Sequence, residues 1–344
     1  MRAAAGLIAV VALLAAGAAR AQGDKAVKDW SGVCNNIATC AAFGFSPEGD
    51  DNDSYVRITR AGGPDAAPSV LVVFDAPDKV PGATWTLTLD GKPIAGVGPV
   101  RAAGSDQGAR ARLTGAAAQA LIAAMRNGQI LEIRQAGKVL VGVSLAGSAA
   151  ILLWVDDQQG RVGTVTALAR PGSKPASVVP APPPTPLVAA APPADQSHLP
   201  PPLPMAKVTA IEDCVASDAA EDSTHLVARL APGVILWGPL CSLGAYNEVN
   251  VFFVGDEHGG NLKRVSFPEP QGAPPDDELM NVSFDPKART LSSDAKGRGL
   301  GDCGSEGTWV WDGQAFQLLS ETEIDACRGV LPDDWPSRYV ARLR

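Results

Sequence analysis

The sequence predicts a mainly β protein made of two antiparallel β domains, the first sandwich-like with two short helices, joined by a proline-rich linker. Three observations lead there. Short β-rich runs recur between turn dipeptides such as Asp90-Gly91 and Asp312-Gly313. Thirteen of the 34 residues at 171–204 are proline, against 29 in the whole chain of 344. The six cysteines fall two and four on either side of that segment.

Residues 1–22 read as a signal peptide. Arg2 supplies a positive start, an apolar run follows, and Ala19-Arg20-Ala21 is an A-x-A cleavage site. The run is shorter than the roughly 20 apolar residues a membrane span needs. No later stretch could span a bilayer. The mature chain is therefore expected to be periplasmic or secreted, with no transmembrane segment.

The first domain is expected over residues 26–170. Ser69 to Phe74 is a compact β-rich run. Thr84 to Leu89 alternates, placing Trp85, Leu87 and Leu89 on one face and three threonines on the other. Asp90-Gly91 then supplies a hairpin turn, and residues 130–134 and 139–145 flank a second. Two helices interrupt the strands. Residues 116–126 are alanine-rich and stop at Asn127-Gly128. Residues 149–159 follow Ser148 as N-cap and end at Gly160.

Residues 171–204 lack any periodic apolar pattern and read as a semi-stiff polyproline-type spacer. Its PxxP strings have a bland explanation in that role. The second domain is expected over residues 205–344. Its hairpins are 247–254 with 262–267, 280–284 with 290–293, and 308–311 with 315–319. In the last of these Trp309 and Trp311 share a face.

Cys34, Cys40, Cys214, Cys241, Cys303 and Cys327 are separated by 5, 173, 26, 61 and 23 residues. That spacing, with only three histidines in the chain, does not suit a zinc site. Disulfides are expected in an exported chain. Pairing within each side fixes Cys34–Cys40 and leaves three choices for the other four. Cys214–Cys241 with Cys303–Cys327 closes the most modest loops.

The formal charge is −8, and loss of residues 1–22 removes two arginines and no acid, leaving −10. This argues against general nucleic-acid binding. The apolar content of 46% supports real cores.

Four stretches carry a likeness: KDWSGVC at 28–34 with Cys40, VSLAGSAA at 143–150 running into WVDDQQGR at 154–161, KGRGLGDC at 296–303 with WVWDG at 309–313, and ACRG at 326–329. Together they resemble a family of exported bacterial proteins of unknown function marked by six cysteines. The first domain is also distantly similar to the invasion-associated locus B family, which implies a β-sandwich-like fold. Neither resemblance implies catalytic residues.

The sequence holds no recognisable catalytic site. There is no G-x-S-x-G string, and His198, His225 and His258 read as surface or strand-flanking residues. Asp156, Asp157, Asp302 and Glu306 are available carboxylates without assigned roles. The acidic run at 48–53 could hold calcium but lacks EF-hand spacing, and 255–258 reads as a polar turn. No metal and no cofactor is expected. Three candidate ligand-binding residues remain. Arg298 lies in a glycine-rich cationic loop that could cradle an anion. Trp309 and Trp311, with Trp335 nearby in sequence, could stack on a glycan. The expected function is binding or envelope maintenance, with an envelope protein or glycan as partner. The alternatives are a hydrolase acting on an envelope polymer and a lysozyme-inhibitor-like protein.

Overall fold

The computed structural model describes residues 23–49, 54–74, 83–105, 108–214, 225–270 and 273–344. The signal-peptide reading, and residues 50–53 of the acidic run, lie outside the described residues.

The fold is mainly β, with antiparallel sheets in both halves. In the first half, seven strands form one sheet in the order Gly23–Val27, Trp30–Cys34, Cys40–Phe45, Ser54–Arg60, Ser69–Phe74, Gly108–Leu113 and Ala103–Ser105. A second sheet carries Lys138–Ser144, Ile130–Gln135, Thr84–Leu89 and Lys92–Pro93 in that order, with Val100–Arg101 also paired to Thr84–Leu89. The two sheets share one core. Val56, Ile58, Val70 and Val72 come from the first, and Trp85, Leu87, Leu131 and Ile133 from the second. Both expected hairpin turns form, with Asp90, Gly91, Ala136 and Gly137 all at positive φ.

The helices Gly115–Met125 and Ser148–Gln158 bury Leu121, Ile122 and Met125, and Ile151, Leu152 and Val155, against this core. The N-cap of the second is Gly147, not Ser148, which is already helical. A Cβ at Gly147 would lie 2.0 Å from the Val27 carbonyl oxygen, and its φ is +103°. Only glycine fits that approach. The WVDDQQGR segment then builds a buried polar network. The Asp156 carboxylate accepts from the Leu168 and Ala169 amides at 2.8 Å. Gln159 donates to the carbonyls of Ala38 and Arg60 and accepts from the fully buried Arg161.

Residues 171–204, the proline-rich segment, run along both halves. Pro180 packs against Gly160, and Pro182 against Gly62 and Gly63. Leu187–Val188 pairs in parallel with Arg342–Leu343. Ala191 donates to the Trp311 carbonyl at 2.8 Å, and Leu203 is buried. Proline rings filling the space above glycines account for the composition as well as a solvated rod does.

Among the described residues of the second half, three further sheets form besides the pairing of Arg342–Leu343. One orders Leu226–Ala231, Val234–Gly238, Phe253–Gly255 and Lys263–Arg264. A three-stranded sheet orders Leu240–Leu243, Glu248–Val251 and Glu278–Met280. A five-stranded sheet orders Ser283–Asp285, Thr290–Lys296, Gly304–Trp311, Phe316–Ile324 and Ser337–Val340. The run expected as one strand at 247–254 is thus divided between two sheets. Phe252, at the division, is fully buried 5.1 Å from the Phe267 ring.

A further core joins the halves. Phe43, Tyr55 and Val73, on the outer face of the seven-stranded sheet, pack against Ile324, Val330 and Trp335. Every residue of Cys40–Phe45 is buried because both faces of that strand are covered. Three disulfides staple the chain: Cys34–Cys40, Cys214–Cys241 and Cys303–Cys327.

Candidate functional site

Where the first strand of the first half meets the five-stranded sheet of the second, the surface opens into a cleft of about 600 Å³. Its floor follows from strand register. Ser293 pairs with Gly307, and Gly307 with Glu321; Ala295 pairs with Ser305, and Ser305 with Glu323. Small residues on two strands therefore leave space in front of two glutamates on the third. Glu321 and Glu323 share a face because side chains alternate along a strand.

One wall is the loop after Phe267. Its ends are pinned by a reciprocal backbone pair between Phe267 and Asp276 at 2.7 and 2.9 Å. The Trp309 indole donates to the Pro268 carbonyl at 2.8 Å and ties the loop to the sheet. This sets Glu269 over Glu321. Asp276 and Glu278 stand at the rim, and Asp24 closes it from the first half. Among the described residues, Arg338 is the one basic residue lining the cleft. Its guanidinium lies 2.8 Å from Glu323, 3.8 Å from Glu321 and 3.4 Å from Asp24.

One arginine does not offset these acids. Burial, then the neighbouring Glu321 carboxyl, pushes Glu269 up to about 9. Glu321 is raised chiefly by burial. Glu323 is raised by burial against the opposing pull of Arg338. Asp276 is raised by burial and then by Asp277 and Glu278. Glu321 is only 6% exposed, and its Oε2 has no hydrogen-bond partner. An enclosed carboxylate oxygen without a donor is costly unless something supplies one. No group of three or more His, Cys, Asp or Glu among the described residues is arranged to hold a metal ion. The acids line the cleft without converging on a point.

The residues singled out from sequence lie elsewhere or play other parts. Trp309 and Trp311, expected as stacking surfaces, are 3% and 8% exposed. They pack in the second core around Phe267 and Phe316. Trp335 is buried and donates to the Val330 carbonyl. All three rings are buried. Trp309 reaches the cleft only as part of its floor. Arg298 is engaged by both oxygens of Asp302, which also accepts from the Gly329 amide. Asp302 is thus its charge partner in this loop. Asp156 is structural, and Glu306 faces Asp294 and Asp333 instead of the cleft. His225 accepts from the Leu240 amide, and the Asp256 carboxylate organises the turn that holds His258.

Sequence reasoning missed Glu269, Asp276, Glu278, Glu321, Glu323 and Arg338. The readable signal was Glu321-Thr322-Glu323 inside a strand otherwise bound for a core. Two acids on one face of such a strand need a reason.

Fold and site define a disulfide-stapled, mainly β protein with an acidic cleft where its two halves meet. The chain belongs to the family described as "Protein of unknown function (DUF1176)", whose model matches residues 24–342. It is 29% identical over 349 residues to the "Uncharacterized protein YpfG" of Escherichia coli (strain K12), covering 94% of each chain. No solved structure matches. No helix among the described residues is long and apolar enough to cross a membrane.

Proposed function

We propose that this is an exported, periplasmic or secreted binding protein of the cell envelope whose ligand site is the acidic cleft. One observation carries the reading. The carboxylic acids Glu269, Glu321 and Glu323 line a single cavity of about 600 Å³, within the size range of small-molecule sites. The signal-peptide pattern and three disulfides support export. The test compares the mature protein with Ala273→Trp, which fills the cleft from its exposed rim. Metabolites retained from envelope extract by the parent and lost by this variant support the reading; identical retention overturns it.

A hydrolase acting on an envelope polymer is the second reading. It is favoured by Glu269, a carboxyl held protonated beside other acids, as general acids are. Release of reducing ends from purified envelope glycan, abolished by Glu269→Gln, would establish it in place of simple binding.

A further inference from the structure

We propose that the first half carries a second site, separate from the acidic cleft, which binds a small organic monocarboxylate. Arg60 and Arg126 take its carboxylate, and its apolar body rests on the helix Gly115–Met125 and the prolines around it.

The WVDDQQGR segment at 154–161, which takes no part in the cleft, builds this site. Its buried residues fix the turn that follows, residues 164–169, from behind. The Asp156 carboxylate accepts from the Leu168 and Ala169 amides, both at 2.8 Å. Arg161 donates to the Thr166 hydroxyl at 3.1 Å, and the Thr164 hydroxyl donates to the Arg161 carbonyl at 2.8 Å. Two carbonyls of the turn then accept from two arginines. Thr166 receives Nη1 of Arg60 and Leu168 receives Nε of Arg126, each at 2.6 Å. Ala66, in the loop after Arg60, accepts from Nε of Arg60 at 2.9 Å. Both arginines line a cavity of about 380 Å³, within the range of small-molecule sites.

Donor supply is the first argument. A guanidinium has five N–H donors and no acceptor. Backbone carbonyls hold Arg60 by Nε and Nη1 and Arg126 by Nε alone. Nη2 of Arg60 and both terminal nitrogens of Arg126 have no partner among the described residues. A carbonyl fixes a guanidinium without neutralising it, so each is held in place and keeps its charge. One such fork grips both oxygens of a carboxylate, and the second arginine adds donors.

Charge is the second argument. Arg60 is 4% exposed, and Arg161 and Asp156 are fully buried. Asp65 stands at the exposed rim. Arg60, Arg126 and Arg161 against Asp156 and Asp65 leave one positive charge unmatched, in a chain of net charge −8. Burial, then Arg161, pulls Arg60 down to about 10 against the opposing pull of Asp156. An anion in the cavity would relieve that pull. One unmatched charge suits one carboxylate, whereas a phosphate ester brings about −1.5 to −2.

Apolar surface is the third argument. Pro64, Pro68, Ile122, Ala123, Val165 and Pro171 lie in the same lining. These rings and methyl groups would take an alkyl body out of water. They offer few partners to the hydroxyls of a sugar.

Heteronuclear NMR of the full mature protein at pH 7 tests this with hexanoate, its neutral counterpart hexanamide, and hexyl phosphate. Hexanoate should shift the Arg126 Nε–H and the amides of residues 65–67, 119–126 and 165–168 to saturation. Hydrogen bonds to a charged group are the stronger ones, so hexanamide should bind about tenfold more weakly. Ala123→Trp, on the exposed side of the helix, fills the cavity and should abolish these shifts. Arg126→Gln should weaken hexanoate about tenfold and bring it level with hexanamide. Arg126→Lys should keep a preference for the anion. A mere tether at the helix end would lose both ligands alike, so the change in preference identifies charge recognition. The inference falls if hexanamide binds as well as hexanoate, or if Arg126→Gln leaves the preference intact. It falls equally if hexanoate shifts none of these amides, whether or not hexyl phosphate does. None of these outcomes bears on the acidic cleft, which shares no residue with this cavity.

Discussion

Asp334 is where the two halves are most exposed to a single change. It sits at the end of the short helix Pro332–Asp334 and is 3% exposed. Its Oδ2 accepts from the Tyr55 hydroxyl at 2.6 Å, and its Oδ1 from Arg57 at 3.1 Å. Arg110 stands 3.7 Å away. Tyr55 is fully buried, and burial followed by Asp334 holds its hydroxyl protonated well above the usual tyrosine range. Burial pulls Arg57 down while Asp334 opposes that pull. Asp334→Ala leaves a buried hydroxyl without an acceptor and a half-buried guanidinium without its main counter-charge. Breaking such a pair from one side costs about 3–5 kcal/mol. With a urea slope of about 3 kcal/mol/M, the unfolding midpoint drops by about 1.3 M. Asp334→Asn keeps an acceptor for Tyr55 but loses the charge, and should cost about half as much. Urea unfolding followed by tryptophan fluorescence and near-ultraviolet circular dichroism reads both variants. The shared core predicts one transition that moves as a whole. A shift of Asp334→Ala below about 0.3 M, or two transitions of which one moves, would refute the reasoning.

Two other consequences are direct. A carboxyl whose folded proton affinity is raised, as at Glu269, holds a proton that the unfolded chain has released, so stability falls as pH rises from 4.5 toward about 9. Exposure to water at the cleft and sharing of charge with Glu321 limit the effect to about 2 kcal/mol. Glu269→Gln should remove that part of the slope and exceed the parent in stability at pH 8.5 but not at pH 4.5. Parallel stability profiles across that range would contradict the assignment. Replacing Cys303 and Cys327 by serine opens a bridge of sequence separation 24 and should cost about 3 kcal/mol. The fall should appear in thermal unfolding of the oxidised protein and vanish when parent and variant are compared fully reduced.

Local pattern was legible where one face of a strand meets the core. Thr84–Leu89 alternates, and Trp85 and Leu87 are buried as the alternation requires. The turn at Asp90-Gly91 is spelled by residues that accept positive φ, and that at Ala136-Gly137 by its glycine. The cysteine pairs were legible because short loops close most easily. Cys40–Phe45 shows no alternation, and the reason is non-local: the second half covers its outer face. Residues 247–254 read as one strand because nothing local announces the break at Phe252; the Phe267 ring that receives it comes from another segment. The proline run looked like a spacer because its glycine partners, Gly62, Gly63 and Gly160, lie before it in sequence. The cleft was least legible. Its acids span positions 24 to 323 and meet only through sheet register and the contact between halves. Burial of the tryptophans was not legible, because a broad ring serves a core as readily as a ligand.

The account turns on the cleft acids lacking enough positive charge of their own. Carboxyl carbon NMR of the mature protein, labelled at glutamate side chains and titrated from pH 3 to pH 10, measures that without any ligand. The account predicts one glutamate with a midpoint near 9, absent from Glu269→Gln, and further glutamates displaced upward from the usual range. A protein whose every glutamate carboxyl titrates between about 4 and 5 would contradict it.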